Sequence, residues 1–525
     1  MNKLINPIPI IDLFAGPGGL GEGFMGYIDK NGRTVFDIKL SIEKDENAHK
    51  TLTWRSFYRQ FKKNGTELPR EYYDAIEEKN LSKRETIIET ALNKYPEGEI
   101  ARHEAQLVEL GSKEWPAERV DKLITERLGK NREWLLIGGP PCQAYSNVGR
   151  SRVGGIDPAD HRVYLYREYL RIIEKHNPAV FIMENVQGLL SAKVGEDKVF
   201  DWMKKDLRVN GLYNIHSLVK PVEKDKDFLI RAEKYGIPQK RHRVILLGIR
   251  NDLKHQGKYL TVTDAVNLQS VIGKLPKIRS GVSRSFQKYH KTEKYKNGSP
   301  KRLYKNIDDN DATWQELIFD QINKLKGWGE IPLNGLSKGP KKYQNGKGSE
   351  FVACKDFIDE SKIPKELARH YLDPALKGVP NHESRSHLKQ DLMRYMFASL
   401  YVEKYGDFPR LRDYAKHHND LIPDHANVES GKFTDRFRVQ VAEKPATTVT
   451  SHISKDGHYF IHYDAKQCRS LTVREAARIQ TFPDNYLFRG SRTAQFHQVG
   501  NAVPPYLALQ IASIVHGILK GSEND

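Results

Sequence analysis

Short apolar runs separated by helix-prone stretches predict an α/β fold, with an open, mostly parallel sheet covered by helices. Three observations carry this expectation. Pro9–Phe14 is a short apolar run stopped at once by a glycine-rich turn; Trp134–Ile137 is stopped by Gly138-Gly139-Pro140-Pro141; and Pro178–Met183 is stopped by Glu184-Asn185. Runs this short, apolar but for Asp12 and bounded by turn residues, read as strands buried on both faces. With 525 residues the chain is long for one core, so two domains are expected.

The first strand runs into Ala15-Gly16-Pro17-Gly18-Gly19-Leu20-Gly21. Glycines 16, 18 and 21 satisfy GxGxxG between a strand and a helix, where small residues let backbone approach a cofactor. A second strand, Phe36–Ile42, ends in Glu43, an acid placed to accept hydrogen bonds from a ribose diol. Dinucleotide enzymes and S-adenosylmethionine enzymes share this arrangement, and the motif does not separate them. Residues 56–102 are polar and helix-prone and read as a charged helical insertion, a solvated decoration. Ala105–Leu110 reads as a third strand ending near Glu109, and Ala117–Leu128 as a helix.

The Trp134–Ile137 strand then leads into Pro140-Pro141-Cys142-Gln143-Ala144-Tyr145-Ser146. Two glycines and two prolines make a rigid, narrow turn. Cys142 is left at the carboxyl edge of the sheet, where open α/β folds place their ligands. A thiol there is a candidate nucleophile, against the alternative of a buried structural cysteine. Residues 147–160 hold glycines among Arg150 and Arg152, the composition of a mobile loop carrying positive charge. A helix over Val163–Lys175 follows. Glu184 puts a carboxylate at the same sheet edge as Cys142. In Gln239-Lys240-Arg241-His242-Arg243, entering the strand Val244–Ile249, alternation sets Arg241 and Arg243 on one face and His242 opposite. Two guanidinium groups there require an anionic or carbonyl-rich partner.

Between about 264 and 435 the texture changes. Lys274–Lys305 carries eleven basic residues against one acid, interleaved with Phe286, Tyr289, Tyr295 and Tyr304, and a second basic run covers 338–347. Such mixtures suit phosphate contacts and base stacking. Helices are expected at Asp391–Lys404 and Phe408–His417. The α/β texture returns at 436–525: a strand at Ala446–Ser451, a capped helix over Ser470–Thr481, the turn Gln498–Val503 with Asn501, and an amphipathic final helix, Pro504–Leu519. Formal net charge is +18, which favours a polyanionic partner. Three cysteines without paired spacing argue against a disulfide framework, and the nineteen histidines show no metal-ligand spacing. The reading finds no signal-peptide pattern and no membrane-length apolar run.

The segments DLFAGPGG (12–19), GPPCQAYS (139–146), ENV (184–186), QKRHR (239–243), RSLTVREAARIQTFPDNY (469–486) and QVGNAVPP (498–505), in this order, resemble the cytosine-C5 DNA methyltransferases. The resemblance covers the whole chain. It implies a Rossmann-like S-adenosylmethionine-dependent methyltransferase fold: a catalytic part over 1–263, a large inserted target recognition domain over 264–435, and a catalytic return segment over 436–525. It implies Cys142 as nucleophile, Glu184 as the carboxylate gripping the base, and Arg241 and Arg243 as a clamp at the catalytic site. S-adenosylmethionine is implied as cofactor, held by Phe14, Gly16, Gly18, Gly19, Glu43, Glu109, Pro141, Asn501 and Val503. Gln143, Ser146, Arg150 and Arg152 are implied on double-stranded DNA, the last three in a loop that closes on it. The family often has Trp after the ribose acid; here Lys44 stands there. The resemblance further implies a monomeric bacterial cytoplasmic enzyme, nucleoid-associated, with a cognate restriction endonuclease as a separate partner and no membrane or metal.

Overall fold

A computed structural model describes residues 7–141 and 161–521, apart from 195, 256, 296–297, 299, 330, 334–335, 337–338 and 424–435; at 161–164 and 194 only the backbone is described. The sheet-forming half begins with β1 (Ile8–Leu13), α1 (Gly19–Met25) and β2 (Phe36–Glu43). Four helices follow, α2 (Glu46–Asn64), α3 (Arg70–Glu77), α4 (Leu81–Lys94) and α5 (Pro96–Glu104). Next come β3 (Ala105–Leu107), α6 (Ala117–Leu128), β4 (Leu135–Gly138), α7 (His161–His176) and β5 (Val180–Val186). The last strands of this half are β6 (Tyr213–His216), β7 (Leu229–Arg231) and β8 (His242–Arg250).

The sheet order is β3-β2-β1-β4-β5-β8-β6, with β7 also on β8. The first five strands are parallel and β8 runs antiparallel to β5, β6 and β7. From β1 the chain builds outward to β2 and β3, then restarts on the other side with β4. That reversal opens a crevice outside the carboxyl ends of β1 and β4. The order is Rossmann-like, in agreement with the expected fold class.

Both sheet faces are covered, as uniformly apolar strands require. On one face α1 and the final helix pack against Ile10, Ile137 and Ile182; on the other, α6 and α7 bring Ile124, Tyr169 and Ile173 against Leu136 and Met183. The α1 contact needs glycine, because a Cβ on Gly23 would stand 2.3 Å from the Pro505 carbonyl.

The remaining chain builds a second unit. A long hairpin, β9 (Gly281–Lys294) with β10 (Pro300–Asn306), is rooted on β13 (Ser386–Leu388), and β11 (Gly348–Ala353) pairs with β12 (Gly378–Glu383). Helices α8 (Asp311–Trp328) and α10 (Lys389–Tyr405) form one core, joined by α11 (Leu411–His417), while α9 (Lys365–Tyr371) packs into a separate core with Phe351 and Val473. The chain closes with α12 (Val473–Ile479), capped by Thr472 with Glu475 in return, α13 (Arg492–Asn501) and α14 (Pro505–Gly521).

Three expectations need correction. The helical stretch expected at 56–102 begins at Glu46, and it is no solvated decoration: Trp54, Phe57, Tyr72, Ile76 and Ile88 share a core with Phe351, Val473 and Tyr486. Arg55, Arg59 and Arg84 are buried because carboxylates meet them inside, which charge-rich composition alone conceals. The return segment expected from 436 first completes the second unit, since Phe437, Ile461 and Cys468 lie in the core of α8 and α10; the sheet is rejoined only at Val503 and α14. The strand expected at Ala446–Ser451 shrinks to Ala446–Thr447, paired with Gln239–Lys240. The segment Arg492–Gly521 would reach across a bilayer by length and composition, yet 67% of its most apolar window is buried inside the protein.

Candidate active site

A cavity of about 440 Å³ opens at the carboxyl ends of β1, β2, β4 and β5, at the reversal of strand order. Phe14, Gly16, Gly19, Glu43, Glu109, Pro141, Asn501 and Val503 line it, together with Glu184, Arg241 and Arg243. Gly18 stands behind the loop, against Leu52 and the Tyr486 hydroxyl. Cys142, Gln143, Ser146, Arg150 and Arg152 lie outside the described residues; Pro141, immediately before Cys142, is on the cavity wall.

The first loop is shaped for close approach. Gly16 and Gly18 have φ of 58° and 95°, and Phe14 itself takes φ of 55°, a conformation that costs a non-glycine residue about 1–3 kcal/mol. Gly19 has no room for a side chain, since a Cβ would stand 2.3 Å from the Val503 carbonyl. Glu43 closes the loop: its carboxylate accepts from the Gly16 amide at 2.7 Å and from the Lys44 and Asp45 amides at 2.8 Å each. Burial pushes its pKa up despite these three donors. Lys44 reaches across to Glu109 at 3.2 Å, both side chains about half exposed.

At the far end, Glu184 sits within β5, not after it. Glu184 is opposite Ile245 in β8, which makes Arg243 its diagonal neighbour on the same face. Arg243 Nε meets Glu184 Oε1 at 2.8 Å, with both side chains largely buried. Gly139 permits this, because a Cβ there would come within 3.0 Å of the Glu184 carboxylate. Burial lowers the Arg243 pKa and Glu184 opposes that shift. Arg241 behaves differently. It donates to the carbonyls of Val449 at 2.8 Å and Gly500 at 3.3 Å, and its Nε has no partner among the described residues. Burial and then the neighbouring Arg243 charge drive its pKa well down. Arg241 therefore clips the second unit and the last turn of α13, which occupies most of the turn expected at Gln498–Val503, to the sheet, and its hydrogen bonds do not reach Glu184. His242 faces away and meets Glu233 at 2.9 Å.

Sequence reasoning passed over Asp12, Asp45 and His497, all on the cavity wall. An acid inside an otherwise apolar strand was the available signal for Asp12. His382 and His387 engage Thr472, Pro276 and Ser470.

An open, mostly parallel sheet with a glycine-rich first loop, an acid closing it and a carboxylate–guanidinium pair on the same cavity is the architecture of a Rossmann-like α/β enzyme. The profile of C-5 cytosine-specific DNA methylases matches residues 118–516, and the chain belongs to that family. It is a DNA (cytosine-5-)-methyltransferase. The chain is 32% identical over 536 residues to the type II methyltransferase M.Bpa9945I of Bacillus paralicheniformis, covering 98% of this chain and 99% of that one. It is 25% identical to a putative type II methyltransferase, M.OihORF3336P, of Oceanobacillus iheyensis, covering 98% and 96% of the two chains. It is 26% identical to the DNA (cytosine-5-)-methyltransferase M.ApeKI of Aeropyrum pernix, over 73% of this chain and 81% of that one.

Proposed function

We propose that this protein methylates C5 of a flipped-out cytosine in a specific duplex DNA sequence, using S-adenosylmethionine and a covalent bond from Cys142 to C6 of the base. The observation that carries this reading is the Glu184–Arg243 pair at 2.8 Å in the cavity that also holds the Gly16–Gly19 loop and Pro141. The residues fit the cofactor: a glycine loop without room for side chains, a carboxylate for a ribose diol, and Phe14, Ile42 and Val503 as apolar walls.

When bound, S-adenosylmethionine supplies an electrophilic methyl group. Cys142 adds as thiolate to C6, which breaks the aromaticity of the ring and makes C5 enamine-like. Electron density moves towards N3 and O2. Glu184 shares a proton with N3, and Arg243 meets O2. After methylation the C5 proton leaves to a base, bound water in our reading, and the C6–sulfur bond breaks to return the thiolate. These groups reach a base only outside the duplex stack, so the cytosine must be flipped. Arg241 holds the strand entering this site.

The second unit, built by the chain from 264 and completed by Phe437, Ile461 and Cys468, acts as the target recognition domain. Its most exposed element is the β9–β10 hairpin, where Tyr289 and Leu303 are exposed and Arg284 stacks over Tyr304. Lysines and arginines along it suit DNA phosphates. Gln143, Ser146, Arg150 and Arg152 add contacts near the flipped base. Because relatives of this length carry type II methyltransferase names, we place the protein in a bacterial restriction–modification system. There it works as a cytoplasmic, nucleoid-associated monomer that protects host DNA from a separate endonuclease.

The test is methyl-labelled S-adenosylmethionine with unmethylated genomic DNA, followed by mapping of 5-methylcytosine. Methylation at one short recurring sequence is expected, and Cys142→Ala should abolish it while DNA binding persists. Label appearing in RNA alone, or turnover surviving Cys142→Ala, would overturn the substrate or the nucleophile respectively.

A further inference from the structure

The helical stretch α2–α5 has no part in the chemistry above, yet it carries a cluster of charges buried behind the cofactor loop. Glu22, in the first turn of α1, receives Arg55 of α2 through Nε at 2.9 Å and through a second nitrogen at 2.5 Å. The same guanidinium donates to the Tyr72 hydroxyl at 3.1 Å and to Asn485 Oδ1 at 2.9 Å. Arg59, one helical turn on, pairs with Glu104 of α5, which also accepts from Ser56 at 2.6 Å and Gln60 at 3.0 Å. Burial alone would raise the Glu22 pKa; the guanidiniums of Arg55 and Arg59 outweigh it and hold Glu22 ionised.

Asn485 and the neighbouring Tyr486 belong to the segment that completes the second unit. The Tyr486 hydroxyl donates to the carbonyl of Pro17, in the middle of the glycine loop. Its ring lies 4.8 Å from the Arg55 guanidinium, and Asn485 is itself tied to Asp373 at 2.7 Å. A chain of contacts thus runs from the second unit through Asn485, Tyr486 and Arg55 to both ends of the loop: Pro17 inside it and Glu22 just after it.

We propose that Tyr486 is a positioning residue for the cofactor loop, and that through it and Arg55 the second unit fixes the loop in its cofactor-binding form. This rests on the cofactor reading given above. It assigns a role to α2 and α5, which supply the buried surface on which the second unit grips the loop.

The test is calorimetric binding of S-adenosylhomocysteine to the full-length protein, beside thermal melting and hydrogen exchange of residues 15–21. Tyr486→Phe removes one hydroxyl and should weaken binding about tenfold, the scale of one buried hydrogen bond lost, with faster exchange in the loop. Tyr371→Phe is the control. That tyrosine is equally buried and its hydroxyl donates to the Arg478 carbonyl at 2.6 Å, away from the loop. It should lower the melting temperature and leave affinity unchanged. Should Tyr486→Phe fold poorly, Arg55→Lys keeps the charge on Glu22 but loses the fork to Asn485 and Tyr72, and weaker binding is again expected. Affinity within twofold of wild type in the folded variant, or equal weakening by Tyr371→Phe, overturns the proposal. Failure of the wild-type protein itself to bind S-adenosylhomocysteine would instead overturn the cofactor reading.

Discussion

Two sets of buried carboxylates and guanidiniums flank the same cavity, and they differ in how many donors meet their carboxylates. Behind the glycine loop, Glu22, Glu104 and Arg55 spend their polar atoms on one another and on Ser56, Gln60, Tyr72 and Asn485. At the front, Glu184 has a single guanidinium partner, and Asn185 Nδ2 and Arg241 Nε have none among the described residues. A buried polar group without partners is costly, typically about 1–3 kcal/mol. Such a cost persists where a ligand supplies the missing partners, as at a binding site. The back set has orphans of its own, Arg59 Nε and Nη1, so the contrast lies in the carboxylates: Glu22 and Glu104 are each met by several donors, whereas Glu184 is met by Arg243 alone among the described residues.

Conservative substitutions should separate the two sets most sharply. Glu184→Gln keeps shape and hydrogen bonding to Arg243 but loses the acid, so turnover should fall by about 10²–10⁴-fold with little change in melting temperature. Glu22→Gln leaves Arg55 and Arg59 short of charge compensation in the interior. It should cost stability, on the scale of about 3–5 kcal/mol for breaking a buried ion pair, while the turnover of the remaining folded protein changes far less. Single-turnover rates and denaturant titrations of both variants test this. Equal loss of stability in both variants would erase the distinction.

The order of motifs made the front set legible in the sequence, because Glu184, Arg241 and Arg243 each sit beside a strand that reads from its apolar run. The back set was hidden. Arg55, Arg59 and Glu104 belong to a stretch whose composition is that of a solvated helical surface, and only the pairing partners, up to 430 residues away at Asn485, reveal that it is interior. Composition reports charge but not whether the opposite charge arrives from elsewhere in the chain. The boundary of the return segment failed for a related reason: Phe437, Ile461 and Cys468 join a core whose other half comes from α8 and α10. Arg241 illustrates a third limit, since a guanidinium fitted for a phosphate looks the same in sequence as one clipping two carbonyls.

Asp12 lies between the two sets and sharpens the contrast. It is 1% exposed, it lines the cavity, and its Oδ2 has no partner among the described residues. Burial drives its pKa well above the ordinary carboxylate value; Arg59 opposes the shift, and Glu43 and Glu104 add to it. A raised folded pKa means the unfolded chain releases this proton first. The stability Asp12 leaves intact below its unfolded pKa of about 3.9 is therefore lost as pH rises towards the folded value. Asp12→Asn has no proton to lose. Its melting temperature relative to wild type should rise with pH, by about 1–3 °C between about pH 4 and about pH 8. A difference independent of pH would mean that Asp12 finds an ionised partner on the cavity side.

The smallest effect is expected at the rim, where Lys44 and Glu109 meet at 3.2 Å with side chains 56% and 48% exposed. Unlike the interior pairs, this one remains in water, so its coupling should lie at about 0–1 kcal/mol. A double-mutant cycle with Lys44→Ala and Glu109→Gln measures it. Raising salt from about 0.1 M to about 1 M shortens the screening length from about 10 Å to about 3 Å, so the rim coupling should vanish. The same cycle on Arg55 and Glu22, read by denaturant unfolding, should barely respond, because no salt ions enter between groups buried behind the loop. If both cycles lost their coupling together, the back set would be reached by solvent, and burial would no longer distinguish it from the rim.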